Sequence, residues 1–179
     1  MTATERRLIT LQLEVVFRPA EQTDLPNLEW YGKYTHFRRL FQRTFEEQMA
    51  GARLMLLADV NGWPVGHVFI QLESYDGFFM DMRKRAYLYS LRVMDAFQHR
   101  GLGSALIREA EAILVGREYD TVSIAAAKDN PRARRLYERL GYHVVAEDNG
   151  RWSYVDHEGR TRYVAEPCWI LEKRLRPPS

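Results

Sequence analysis

The chain has 179 residues, 46% hydrophobic and 28% charged, with a formal charge of +2 and one cysteine. That length suits one domain whose core needs no staples, and the near-balanced charge argues against bulk nucleic-acid or membrane binding. The lone Cys168 excludes an intramolecular disulfide framework and fits a reducing cytoplasm. Residues 1–10 hold no signal-peptide core, and no apolar run approaches the ~20 residues needed to span a bilayer.

Residues 11–18 alternate apolar and polar like an opening strand, which Pro19 ends. Trp30, Tyr34, Phe37, Phe41 and Phe45 recur at steps of three or four, which predicts a helix over 30–45 with one aromatic face. Residues 53–59 and 64–72 are apolar strands joined by Asn61-Gly62, a strong hairpin signal. Residues 73–85 read as a loop that carries Phe78, Phe79, Met80 and Met82. A strand over 86–93 then leads through Gln98, His99, Arg100, Gly101, Leu102 and Gly103 into a helix over 101–116. Its buried stripe is Leu102, Leu106, Ala110, Ile113 and Leu114, with Arg108, Glu109 and Glu111 facing out.

A strand over 120–126 precedes a helix over 130–140, with Asn130 as N-cap, Pro131 at the first helical position and Gly141 just past the end. A strand over 142–147 follows. After Asn149-Gly150, residues 151–155 and 160–164 form a second hairpin that turns at 156–159. A last strand over 167–175 precedes a loose tail. No repeat or linker interrupts the chain, so it reads as one mixed α/β domain over 1–179 with its core at about 11–175.

Glycines at the start of a helix let a ligand approach the backbone, whose unpaired N–H groups and dipole suit a phosphate or pyrophosphate. The dinucleotide fingerprint is absent, because Leu106 stands where Gly or Ala is needed, and no Gly-Lys-Ser/Thr forms a P-loop. Asn130 and Tyr137 are seven residues apart, so both project from one helix face. Gln98-x-x-Gly101-x-Gly103, followed by Asn130, Ala133, Leu136, Tyr137, Leu140, Gly141 and Tyr142, resembles the GNAT superfamily of acyl-CoA-dependent N-acyltransferases. The likeness spans about 11–175 and is motif-grade over 87–142.

The resemblance implies a mixed, mostly antiparallel central sheet flanked by helices, here with an extra C-terminal β-hairpin. It implies that the strands at 86–93 and 120–126 run parallel and splay to admit a pantetheine arm. Backbone groups of Leu91, Arg92 and Val93 would pair with that arm. Gln98 begins the cofactor-binding turn, and amides from His99, Arg100, Gly101, Leu102, Gly103 and Ser104 would surround the pyrophosphate, with Arg100 adding a charge-assisted contact. Asn130 would hydrogen-bond the arm. The reaction implied is direct attack of a neutral amine on acetyl-CoA through a tetrahedral oxyanion. An N–H of the 91–93 strand would hold that oxyanion, and Tyr137 would protonate the leaving CoA thiolate. Glu73 is the carboxylate placed by analogy as general base, with Asp76 and Tyr89 as alternatives.

Cys168 with His157 is set aside as a nucleophile pair, since direct transfer needs no covalent step and Cys168, in the apolar run before Trp169, reads as a buried structural thiol. The histidines His36, His67, His99, His143 and His157 show no metal-ligand spacing, so no metal is expected. The acceptor implied is a small-molecule amine or a peptide or protein amine, with neither nucleic acid nor membrane as partner and a homodimer left open. The competing class is a non-catalytic acyl-CoA-binding or protein-interaction module with the same fold.

Overall fold

Alternating apolar residues and two tight turns build a sheet that helices then cover. The computed structural model describes residues 12–72 and 84–175. In chain order these form β1 (Val16–Pro19), α1 (Arg38–Met49), β2 (Arg53–Val60), β3 (Trp63–Gln71), β4 (Arg85–Val93) and α2 (Leu102–Gly116). Then come β5 (Thr121–Ala127), α3 (Pro131–Arg139), β6 (His143–Asp148), β7 (Arg151–Val155), β8 (Thr161–Ala165) and β9 (Cys168–Arg174).

Seven strands join in the order β1-β2-β3-β4-β5-β9-β6, while β7 and β8 pair apart from them. Every pairing is antiparallel except β4 with β5. This is the mixed, mostly antiparallel sheet with an extra C-terminal hairpin that the sequence implied. Asn61 and Gly62 both take left-handed φ, 53° and 80°, which gives the β2–β3 turn the twist its strands require. The interiors of β2 and β3 are buried on both faces. One face packs Leu56, Val68 and Ile70 with Leu106 and Leu114 of α2. The other packs Met55, Leu57 and Phe69 against Phe41 of α1 and Leu28.

Three expectations are corrected. The helix over 30–45 is interrupted: Gln22–Glu29 and Thr35–Phe37 are 3-10 turns, and α1 begins only at Arg38. Trp30 and Tyr31 take left-handed φ, 42° and 58°, and the Trp30 indole N–H donates to the Pro64 carbonyl at 2.9 Å. The aromatic spacing thus records a shared packing face, and a tertiary hydrogen bond decides the backbone. The first strand is shorter than 11–18, and Pro19 is its last paired residue, a position an edge strand tolerates. Glu111 does not face out: it accepts from the Tyr142 hydroxyl at 2.9 Å and from Lys173 Nζ at 2.7 Å.

The β7–β8 hairpin leaves the main sheet and lies on the Thr35–Phe37 turn and α1, with the Tyr154 ring 4.9 Å from that of Phe37. Its base is tight, for a Cβ at Gly150 would stand 1.8 Å from the Glu166 carbonyl oxygen. Its tip is held by Asp156, which accepts from the Arg160 and Glu158 amides at 2.9 and 3.0 Å and from Arg162 Nε at 2.7 Å. The Arg160 amide, then Arg162 and the Glu158 amide, hold the Asp156 carboxyl down at about 2.

Candidate active site

The two parallel strands stop pairing halfway along. β4 and β5 are in register from Arg85↔Thr121 to Leu88↔Ile124, and β4 then continues to Val93 and β5 to Ala127 without pairing further with each other. The cause lies in β4. Tyr89 opposes Phe69 and Arg92 opposes His67, so Ser90 and Leu91 together face Val68 alone. This is a β-bulge, with Ser90 at φ 54°. Ala125, Ala126 and Ala127 on the other side are small, so a gap opens between the strand ends.

Below the gap, Gly101 at φ 81° is the N-cap of α2 and brings no side-chain cap. The first N–H groups of α2 therefore lack partners within the helix. A Cβ on Gly103 would meet only Leu136 Cδ2, at 3.8 Å. Protein packing thus leaves room for a methyl there, and a bare backbone at that point suits the approach of a ligand. The loop is braced by Gln98, whose Nε2 donates to the Val93 carbonyl at 2.9 Å and to Asp95 at 3.1 Å.

Two cavities meet at the gap. One of ≈ 480 Å³ is lined by His99, Gly101, Leu102, Gly103 and Ser104, and by Arg132 and Arg139 of α3. The other, of ≈ 800 Å³, lies between β4, α1 and the hairpin. Both are lined by Leu91, Asn130, Ala133 and Tyr137. Tyr137, 5% exposed, stands at this junction. Burial, then the nearby Tyr87, pushes its hydroxyl up to about 12, so it stays protonated through the neutral range. Asn130 caps α3 by accepting from the Ala133 amide at 3.1 Å. Its side-chain nitrogen has no protein partner among the described residues.

The larger chamber is aromatic and charged. Tyr87 and Tyr89 alternate along β4 with rings 6.0 Å apart and nearly parallel. Burial, then Cys168, Asp148 and Tyr89, raises the Tyr87 hydroxyl to about 12. Tyr89 accepts from Arg53 Nη1 at 2.8 Å, and Arg53 also pairs with Glu47. Asp148 and Glu166 line the same chamber, as does Cys168. Burial, then Asp148 and Glu166, raises the Cys168 thiol, which keeps it protonated and a poor nucleophile.

Leu91, Val93, Gln98, His99, Gly101, Leu102, Gly103, Ser104, Asn130 and Tyr137 all line the smaller cavity, and Arg92 lines the larger one. Arg100 does not line either; its Nε turns back to the Ala96 carbonyl at 3.4 Å. Glu73, Asp76 and the aromatic and methionine residues at 78–82 lie outside the described residues. Four groups escaped the sequence reading. Arg132 and Arg139 stand two turns apart on α3, a spacing that could have flagged them. Asp148 and Glu166 flank the hairpin base and carry no local signal. Among the described residues no group of three His, Cys, Asp or Glu could hold a metal ion, and no helix is long and apolar enough to cross a membrane.

Comparison with known proteins follows the same lines. The family model for the acetyltransferase (GNAT) family matches residues 19–142. The structure is similar to that of NAA60 from Arabidopsis thaliana in complex with acetyl-CoA. The identity is 21% and the TM-score 0.67, over 90% of this chain and 98% of that one. It is similar to the ribosomal-protein-S18-alanine N-acetyltransferase of Escherichia coli, with 22% identity and a TM-score of 0.67, over 93% and 97% of the two chains. It also resembles a spermidine N-acetyltransferase chimera from Vibrio cholerae and hSSAT, at 16% identity and a TM-score of 0.69, over 90% and 95%.

Proposed function

This chain belongs to the GNAT acetyltransferase family, and from that premise we propose that it transfers an acetyl group from acetyl-CoA to a primary amine by direct attack. The observation that carries this reading is the continuous path from the α2 N-terminus, through the unpaired gap between β4 and β5, to the Tyr137 junction. Its lower end offers what a diphosphate requires: free backbone donors at a helix N-terminus, with Arg132 and Arg139 beside them. The similar NAA60 was crystallised with acetyl-CoA, which supports the same ligand here.

Acetyl-CoA supplies the thioester; the remaining roles fall to the chain. Leu91, Arg92 and Val93 present their backbone edge to the arm as an added strand would. Asn130 holds the arm with the amide nitrogen that its cap leaves free. An N–H of the bulged strand receives the charge that develops on the carbonyl oxygen, in a fixed, partly dry setting where such a donor is most effective. Tyr137, kept protonated by its burial, gives its proton to the departing sulfur. Glu73 is proposed as the base that takes the amine proton, with Asp148 and Glu166 as the carboxylates of the chamber that make no ion pair among the described residues, Glu47 being paired with Arg43 and Arg53.

The acceptors named for similar proteins, spermidine and a ribosomal-protein alanine, are an amine and a protein amine, which supports an amine acceptor in general. Two measurements test the proposal. Calorimetry with acetyl-CoA is expected to give saturable binding, and a panel of primary amines is expected to release free thiol. A well-folded protein that binds neither CoA nor acetyl-CoA overturns the reading. Binding with no thiol released by any amine leaves a non-catalytic acyl-CoA-binding module instead.

A further inference from the structure

Among the described residues of the larger chamber, Arg92 is a cation that makes no ion pair, although the charge of Glu166 reaches it. Arg92 lies on β4 two residues beyond the strained Ser90, opposite His67 of β3, and lines the ≈ 800 Å³ cavity. Its guanidinium carbon sits 4.8 Å from the ring centre of Tyr34 and 5.0 Å from that of Phe37, and it donates to the Ser90 hydroxyl. Among the described residues no carboxylate lies within ion-pair distance of it. Arg53 and Arg43 in the same chamber both pair with Glu47. Arg151 is exposed and solvated, so it needs no partner.

A partly buried guanidinium without an ion-pair partner is costly; the aromatic faces and the Ser90 and Tyr34 hydroxyls compensate it in part and leave further in-plane donors for a ligand. The positive field reaches its neighbours: burial, then Arg92, lowers the His67 imidazole well below its ordinary range and lowers that of His36. The planar donor fork fits a carboxylate in bidentate fashion. Arg92 also belongs to the short strand segment that lines the thioester path. An anion held there would share the chamber with the acceptor amine, which a small molecule carrying both groups can satisfy. Among the described residues of the chamber Glu47 is taken by two arginines, and the remaining carboxylates, Asp148 and Glu166, are outnumbered by arginines, a poor match for a polyamine.

We propose that the acceptor is a small aminocarboxylate of the amino-acid type, with its carboxylate held by Arg92; this rests on the acetyl-transfer reading above. The hairpin closing over Phe37 favours such a small molecule over an extended peptide.

The test uses the full chain and thiol release from acetyl-CoA. Phenylalanine, leucine and glutamate are each compared with their carboxamide and with the decarboxylated amine. The acids are expected to exceed their uncharged partners in kcat/KM by about 30-fold, the worth of a charge-assisted carboxylate contact. Arg92→Met should bring that ratio close to one and Arg92→Lys should retain part of it, with acetyl-CoA binding checking that each variant is folded. Amides or amines that match the acids in the unmutated protein overturn the inference and leave the transferase reading standing. Turnover confined to peptide amino termini overturns it as well. If no compound in these series releases thiol while another primary amine does, the inference falls and the transferase reading stands; if no amine of any kind releases thiol, both fall.

Discussion

Around the N-terminus of α2 the cleft is made of backbone; beyond Tyr137, in the chamber under the hairpin, it is made of side chains. The first half needs a left-handed Gly101, a bare Gly103 and an uncapped helix, all within a few residues of one another. The second half gathers Phe37, Arg53, Tyr89, Arg92 and Trp152 from four separate stretches of chain. A backbone site depends on conformation and is indifferent to most side chains around it. A side-chain site depends on which residues the fold brings together, and can change its ligand without changing the fold.

Four changes test this contrast, from the largest expected effect to the smallest. Tyr137→Phe acts at the junction of the halves and should lower kcat by about 100-fold while acetyl-CoA affinity stays nearly constant. Steady-state kinetics with parallel calorimetry decides it, and unchanged turnover across the whole pH range removes Tyr137 from the chemistry. Gly150→Ala strikes the side-chain half alone. Its Cβ would fall 1.8 Å from the Glu166 carbonyl oxygen, so the hairpin must shift, at a cost of about 3 kcal/mol in urea unfolding. Acceptor KM should rise and acetyl-CoA affinity should hold; equal loss of both would erase the distinction between the halves.

Gly103→Ala is the converse. With Leu136 at 3.8 Å the methyl fits, and alanine favours the helix, so thermal stability should hold or rise. Acetyl-CoA affinity should nevertheless fall about tenfold, the loss of one hydrogen bond to a charged group. A variant that binds as tightly as the parent would show that the glycine serves packing.

The smallest effect is that of pH on stability. Burial, then Arg92, depresses the folded pKa of His67, so below about pH 6.5 the unfolded chain takes up a proton that the folded one refuses. Stability should therefore fall as pH drops from that point towards the folded value. His67→Gln should flatten the melting temperature over that window. Asp156 contributes in a separate and lower window, where stability present above its unfolded pKa is lost as pH falls towards about 2.

The legible parts of the molecule were those decided by near neighbours. Asn61-Gly62 must turn left-handed, Asn130 must cap the helix that Pro131 opens, and Gly101 ahead of an apolar stripe must start α2. Each rests on backbone sterics or a hydrogen bond spanning a few residues, so the residue types carry the answer. Trp30 shows the limit: its spacing fitted a helix, but its indole bonds to Pro64, thirty-four residues away, and the chain turns instead.

The sequence by itself thus determined the strand and helix order, the glycine loop that opens α2 and the facing pair Asn130 and Tyr137. Only the tertiary structure decided that β4 bulges at Ser90 and parts from β5, and that the hairpin closes on Phe37. It alone brought Asp148 and Glu166 into the chamber under the hairpin, and among the described residues it left Arg92 there without an ion-pair partner. The reason is range. Sterics and capping act between residues close in the chain, whereas desolvation and charge pairing depend on distances that exist only once remote segments have packed together.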